Sequence, residues 1–266
     1  MIIRREQMRV FEQVMQTGFE ERMLARIREF FPKHPVMLGE EQLLLLVRLA
    51  VEKARRHTLI TERNVALFLD LMCLLGSGFD ADPQMPWAAE ILADRSLAAD
   101  DERTDVLHER GWRFAQTVAE DLEDYVEKGD SSRLIAALKS IDLLGMEELT
   151  PDAAAQLAHE VASNLKTAFP IRCATIGDAC LTALLDHAHQ SASRYGINNG
   201  RAVSLFAALS LVVGAGFDND PQLPWASRNL RDPSTANDPI SRTRRLHRGA
   251  LQCLREWWDI RVGVDG

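Results

Sequence analysis

One stretch of this chain occurs twice. Gly76-Ser77-Gly78-Phe79-Asp80-Ala81-Asp82-Pro83-Gln84-Met85-Pro86-Trp87-Ala88 returns 138 residues later as Gly214-Ala215-Gly216-Phe217-Asp218-Asn219-Asp220-Pro221-Gln222-Leu223-Pro224-Trp225-Ala226, with ten of thirteen positions identical. In 266 residues that spacing is about half the chain. It reads as one unit duplicated and fused, unit 1 over residues 1–130 and unit 2 over residues 131–266. The repeat is also an internal control. What both copies keep belongs to a shared architecture, and what one copy changes is free to serve a specific function.

The periodicity of both units is helical. Phe11, Val14, Met15, Gly18, Phe19, Arg22 and Met23 step by three and four, and Ile27, Phe30 and Phe31 continue the stripe. Pro32 and Pro35 end it, Gly39 opens a second helix reaching about His57, and Thr61 is a good N-cap for a third over residues 62–75. The stripe of that third helix is Val65, Phe68, Leu69, Met72 and Leu75, and Gly76 ends it. A short helix over residues 87–92 and a long amphipathic one over residues 101–127 follow the repeated loop. The second half repeats the plan: Phe31-Pro32 aligns with Phe169-Pro170, Gly39 with Gly177, and Phe68 with Phe206. After the loop the offset becomes 139, so His108 aligns with His247. No run alternates as a strand would. The fold class predicted is all-α, two tandem, pseudo-symmetric helical units.

The greasiest stretch, Leu43 to Val47, is cut off by Arg48, Glu52 and Lys53, far short of the roughly 18–20 apolar residues a bilayer span needs. The charged opening, Arg4-Arg5-Glu6, lacks a signal-peptide core. A cytosolic protein without membrane partners is expected. Cys73, Cys173, Cys180 and Cys253 are not matched by cysteines in the opposite half, so reduced and mostly buried thiols are expected rather than a disulfide or zinc framework. Net charge is −8, and residues 1–133 carry −7 of it. An acidic chain without a basic stripe is a poor nucleic-acid binder, and a cationic protein is the more natural partner.

Asp80 and Asp82, repeated as Asp218 and Asp220, invite a metal reading, and with it a metal-dependent hydrolase acting on phosphate or nucleotide substrates. Calcium in the EF-hand pattern would need glycine and glutamate at positions occupied by Met85 and Ile91. A turn explains more of the residues. Gly76 and Gly214 permit tight backbone geometry, the Asp-Pro pairs suit turns, Pro86 and Pro224 start short helices, and Phe79, Trp87, Phe217 and Trp225 anchor the loops. The loops are therefore expected to be structural, with no catalytic residue, metal or cofactor. His187 and His189, two apart on one helix, face different ways and make a poor ligand pair. His108 and His247 are expected to pack on or bond to the repeated loops.

The two units differ most in charge after the loop. Residues 100–130 hold eleven acidic side chains against four basic, whereas residues 228–261 hold eight arginines against four acidic side chains. Either the two elements pair inside the molecule, through Arg242, Arg244, Arg245 and Arg248, or the acidic one is a docking surface. The docking reading rests on Asp100, Asp101, Glu120, Asp121, Glu123, Asp124 and Glu127.

The opening Ile3-Arg4-Arg5-Glu6-Gln7-Met8-Arg9-Val10-Phe11-Glu12, with Phe31-Pro32 and the Gly76 to Ala88 loop, resembles a family of helical bacterial proteins of unassigned activity. Genes of that family lie in type VI secretion and polymorphic-toxin neighbourhoods. The resemblance covers residues 1–125. The second copy keeps the loop but has Lys139-Ser140-Ile141-Asp142 where the opening signature would stand. It implies a non-catalytic accessory of a secreted toxin or effector, either an immunity protein or an effector-binding chaperone.

Overall fold

The computed structural model describes the backbone of residues 5–97, 99–123, 151–235 and 237–262, with side chains over 14–97, 99–119, 121, 157–235 and 237–253. The described residues form ten α-helices and no strand. In the first half these are α1 (Arg5–Phe30), α2 (Lys33–Arg56), α3 (Glu62–Leu75), α4 (Pro86–Ala93) and α5 (Asp100–Glu123). In the second they are α6 (Pro151–Ala168), α7 (Pro170–Arg194), α8 (Gly200–Val213), α9 (Pro224–Leu230) and α10 (Pro239–Val262).

Local chemistry sets the boundaries. The Thr61 side chain accepts the backbone N–H of Asn64 at 3.2 Å, and Asn199 does the same for Ala202 at 2.9 Å. Pro86 and Pro224 occupy the first turns of α4 and α9, where a missing N–H costs nothing. Gly39 and Gly177 break α2 and α7 at matching places, with φ of 73° and 78°. Gly39 thus separates one opening turn from the main body of α2, and the second helix begins earlier than the sequence suggests.

Helices α1, α2, α3 and α5 pack on one another in the first half, and α6, α7 and α8 in the second, while α5 packs against α7 across the two. Buried apolar side chains from both halves form one continuous cluster. Within it, Phe68 and Phe79 meet at 4.9 Å between ring centroids, and their counterparts Phe206 and Phe217 at 5.2 Å. The stripe of α3 is buried throughout. That of α1 is buried only toward its end: Met23 and Ile27 are in the core, whereas Val14, Met15 and Phe30 are exposed. Phe11 lies outside the described side chains. Periodicity fixes which face of a helix is apolar, but a helix longer than its neighbours leaves part of that face uncovered.

No described helix is long and apolar enough to cross a membrane. The four cysteines are thiols; Cys173 is buried and the other three are half-buried.

Candidate functional site

The repeated loops meet each other. Each leaves the end of its helix, α3 or α8, on a glycine with positive φ, 98° at Gly76 and 101° at Gly214. At both glycines the other half stands where a side chain would begin: a Cβ on Gly76 would lie 3.2 Å from the Val213 carbonyl oxygen, and one on Gly214 would lie 3.4 Å from that of Leu75. Gly78 and Gly216 face each other, a Cβ on the former reaching within 3.7 Å of the latter's Cα. The positive φ at Gly76 and Gly214 would strain any L side chain, and at Gly76 the 3.2 Å approach to backbone adds crowding, whereas Gly78 and Gly216 meet at ordinary contact distance.

Two of the four aspartates hold the crossing together. Asp82 accepts the backbone N–H of Ala215 at 2.7 Å with one oxygen and that of Gln84 at 2.8 Å with the other. Asp220 accepts the backbone N–H of Ser77 at 2.7 Å, its hydroxyl at 2.6 Å and the backbone N–H of Gln222 at 2.8 Å. Each carboxylate turns its own loop and binds the first residues of the opposite one. The glutamines extend the exchange: Gln84 donates to the Ser210 carbonyl and Gln222 to the Met72 carbonyl, both at 2.8 Å. Those carbonyls lie in the last turns of α8 and α3, where they also accept the backbone N–H groups of Gly214 and Gly76. A residue from the opposite half of the chain steadies each glutamine in turn. Arg172 donates to Oε1 of Gln84 at 3.2 Å, and Nε2 of His34 lies 3.0 Å from Oε1 of Gln222.

The other two aspartates act within their own half. Asp80 accepts from Lys53 at 2.5 Å and stands 3.1 Å from Nε2 of His57. Asp218 accepts from Ser191 at 2.9 Å and Tyr195 at 3.0 Å, residues at the positions equivalent to Lys53 and His57. Each therefore fastens its loop to the end of α2 or α7. The backbone just beyond is held again, by Arg103 donating to the His57 carbonyl and by Arg242 donating to that of Tyr195.

Electrostatics follows burial. Desolvation pushes the carboxyls of Asp82 and Asp220 above the ordinary aspartate range, despite the N–H groups aimed at them. Burial also lowers the Arg172 guanidinium to about 10, although Asp82 and Asp121 oppose that shift. For Asp80, burial raises the value, but the bonds from His57 and Lys53 together outweigh it, and the net shift is downward.

Of the residues expected to build the structural loop, Gly76, Asp82, Gly214 and Asp220 take part in this crossing, while Asp80 and Asp218 fasten the loops within their own halves. Phe79 and Phe217 are fully buried, and Trp87 is buried against Phe114 with Arg110 over its ring. Trp225 is only half-buried. Among the described residues no group of three or more His, Cys, Asp and Glu side chains could hold a metal ion. His108 departs from expectation, since its nearest carboxylate is Asp70 of α3, at 3.8 Å, rather than a loop residue. His247 is buried, His187 half-buried and His189 exposed.

The acidic docking residues divide. Asp100 and Asp101 are exposed, and Asp100 accepts from Arg103 at 2.6 Å. The side chains of Glu120 and Glu123, and all of Asp124 and Glu127, lie outside the described residues. Asp121 corrects the expectation, because it is buried and accepts the backbone N–H groups of Ile171 and Arg172 at 3.1 and 2.6 Å. It caps the first turn of α7, where free N–H groups and the helix dipole both favour a carboxylate. The sequence could not show this, because the capped helix starts fifty residues away. Further along α5, Asp105 pairs with Arg63 and Glu109 with Arg113, while in the second half Arg245 pairs with Asp232.

Ser77, Gln84, Gln222, His34 and Arg172 are the site residues the sequence reading passed over. Both glutamines stand among the ten identities of the repeat, which was their available signal. No protein family, curated protein or solved structure matches this chain.

Proposed function

We propose that this chain is a non-catalytic binding protein, an internal duplication of one helical unit, that holds a secreted bacterial toxin or effector in the cytosol. Its role would be that of an immunity protein or effector chaperone of a type VI secretion system. The resemblance of residues 1–125 supports the setting. What supports binding over hydrolysis is that all four loop aspartates are engaged in holding the loops.

The observation that carries the reading lies on the first half alone. A line of side chains crosses α1, α3 and α5 at the surface. The Arg26 guanidinium lies 4.7 Å from the centre of the Phe30 ring and bonds Asp70 through two nitrogens, at 2.8 and 2.5 Å. His108 stands beside Asp70 and stacks on Trp112, with 6.5 Å between ring centres and 17° between planes. Phe30 and Trp112, at the two ends, are 56% and 47% exposed. The equivalent positions in the second half hold Asn164, Ala168, Ala208, His247 and Leu251, so four of the five residues differ. An exposed Trp and Phe braced by Arg, Asp and His have the composition of binding hot spots. The fold does not need them, since the other half does without them.

The test pairs the purified chain with the product of an adjacent toxin gene and measures affinity by calorimetry. Trp112→Ala and Phe30→Ala should each weaken binding at least tenfold without lowering Tm, about 1.4 kcal/mol or more of binding energy. An immunity protein would abolish the toxin's activity on binding, whereas a chaperone would leave it active but raise its yield. A gene neighbourhood of purely metabolic enzymes would overturn both.

A further inference from the structure

We infer that the Gly76 to Ala88 loop is a self-complementary surface whose fitting partner is a second copy of itself, so that the single chain carries a dimer interface closed within one molecule. The crossing carries this without reference to any toxin. Apart from the Ser77 hydroxyl bond to Asp220, whose counterpart position is Ala215, the contacts described across it have mirror mates. Asp82 on the Ala215 N–H is answered by Asp220 on the Ser77 N–H. Gln84 on the Ser210 carbonyl is answered by Gln222 on that of Met72. Arg172 on Gln84 is answered by His34 on Gln222, Gly76 against Val213 by Gly214 against Leu75, and Gly78 and Gly216 meet each other. Residue i touching j while the counterpart of j touches the counterpart of i defines an isologous contact, the kind that two identical surfaces make about a two-fold axis. A patch evolved for a different partner would have no reason to be answered residue for residue. The kept motif is then a pairing surface, and any chain bearing one copy should pair through it.

The loops differ at only three positions, Ser77/Ala215, Ala81/Asn219 and Met85/Leu223, which gives a test in the intact chain. The Ser77 hydroxyl donates to Asp220, and on a true two-fold the same bond awaits a serine at position 215, facing Asp82. Ser77→Ala alone should lower Tm by about 3–6 °C, the loss expected for a buried bond to a charged acceptor in a chain of this size. The exchange variant Ser77→Ala with Ala215→Ser should recover at least half of that loss. A further variant, Ala215→Ser with Asn219→Ala and Leu223→Met, makes the two loops identical and should melt within 5 °C of the natural chain. Failure of Ala215→Ser to restore any of the loss, or a larger drop in the identical-loop variant, would overturn the inference. Neither result bears on whether a toxin binds, so the two readings can fail separately.

Discussion

Asp82 and Asp220 resemble catalytic carboxylates in one respect, a pKa raised by burial, yet both of their oxygens are occupied by the turn and by the opposite loop. Replacing either by Asn keeps the shape but turns an amide donor toward a backbone N–H. Asp82→Asn should cost about 1–3 kcal/mol by urea denaturation, the range for an unsatisfied buried group, and Asp220→Asn about the same. Acid adds a second residue-scale signature. His34 has its pKa lowered, chiefly by burial, with the Gln222 bond opposing. A lowered histidine folds best when neutral, so its contribution is whole above the ordinary value of about 6.5 and falls away as pH drops toward the folded value. The raised carboxylates act oppositely, gaining relative stability as they protonate at lower pH. Stability measured from pH 7 to 5.5 should therefore decline more steeply in the natural chain than in His34→Gln, and equal slopes would show that His34 is solvated. The two tryptophans of the loops should also part company. Trp87→Ala should cost about 3–5 kcal/mol, the range for deleting a buried large aromatic, whereas half-buried Trp225 should cost clearly less.

Among the elements, α5 changes meaning most between sequence and structure. Read as a string, it is an acidic amphipathic helix inviting a basic partner. Folded, its acids have separate tasks: Asp100 ties back to Arg103, Asp105 and Glu109 make surface pairs, and Asp121 caps α7. Exposed pairs of this kind are worth under about 1 kcal/mol each and exchange readily with a partner's charges, but a buried cap does not exchange. Asp121→Ala should therefore destabilise by about 1–2 kcal/mol in denaturant titrations, while reversing Asp101 to Lys should leave stability nearly unchanged. A neutral outcome at Asp121 would mean that α7 starts without this cap. On the proposed function, docking would fall on the face of α5 that carries His108 and Trp112, next to α3 and the end of α1.

For the whole molecule, the decisive quantity is how the halves share stability. One continuous apolar cluster spans both, and the polar crossing joins the last turns of α3 and α8 through bonds between residues 126 to 150 apart in sequence. Neither half keeps these bonds if the other unfolds, and Asp82, Asp220, Gln84 and Gln222 then lose the partners they have across the crossing. Unfolding should accordingly be a single transition, with calorimetric and van't Hoff enthalpies that agree, and Asp82→Asn should lower that one Tm rather than split it. Two resolved transitions would show that each half is stable by itself.

The helices were legible in the sequence because what makes them is local. Thr61 caps through a residue three positions on, Gly76 ends α3 four residues after the carbonyl its N–H bonds, and the stripe from Val65 to Leu75 repeats every three or four residues. The repeat also marked Gly76, Asp82 and Trp87 as belonging to architecture, since both halves keep them. What each of them touches was decided by the tertiary structure. The N–H bound by Asp82 is 133 residues away and that bound by Asp220 is 143 away, and no period or cap encodes a contact that depends on how one half is turned against the other. The same holds for Asp121, an acidic residue like its neighbours until α7 arrives above it, and for Trp112, whose exposure follows from what packs beside α5 rather than from its place along the helix.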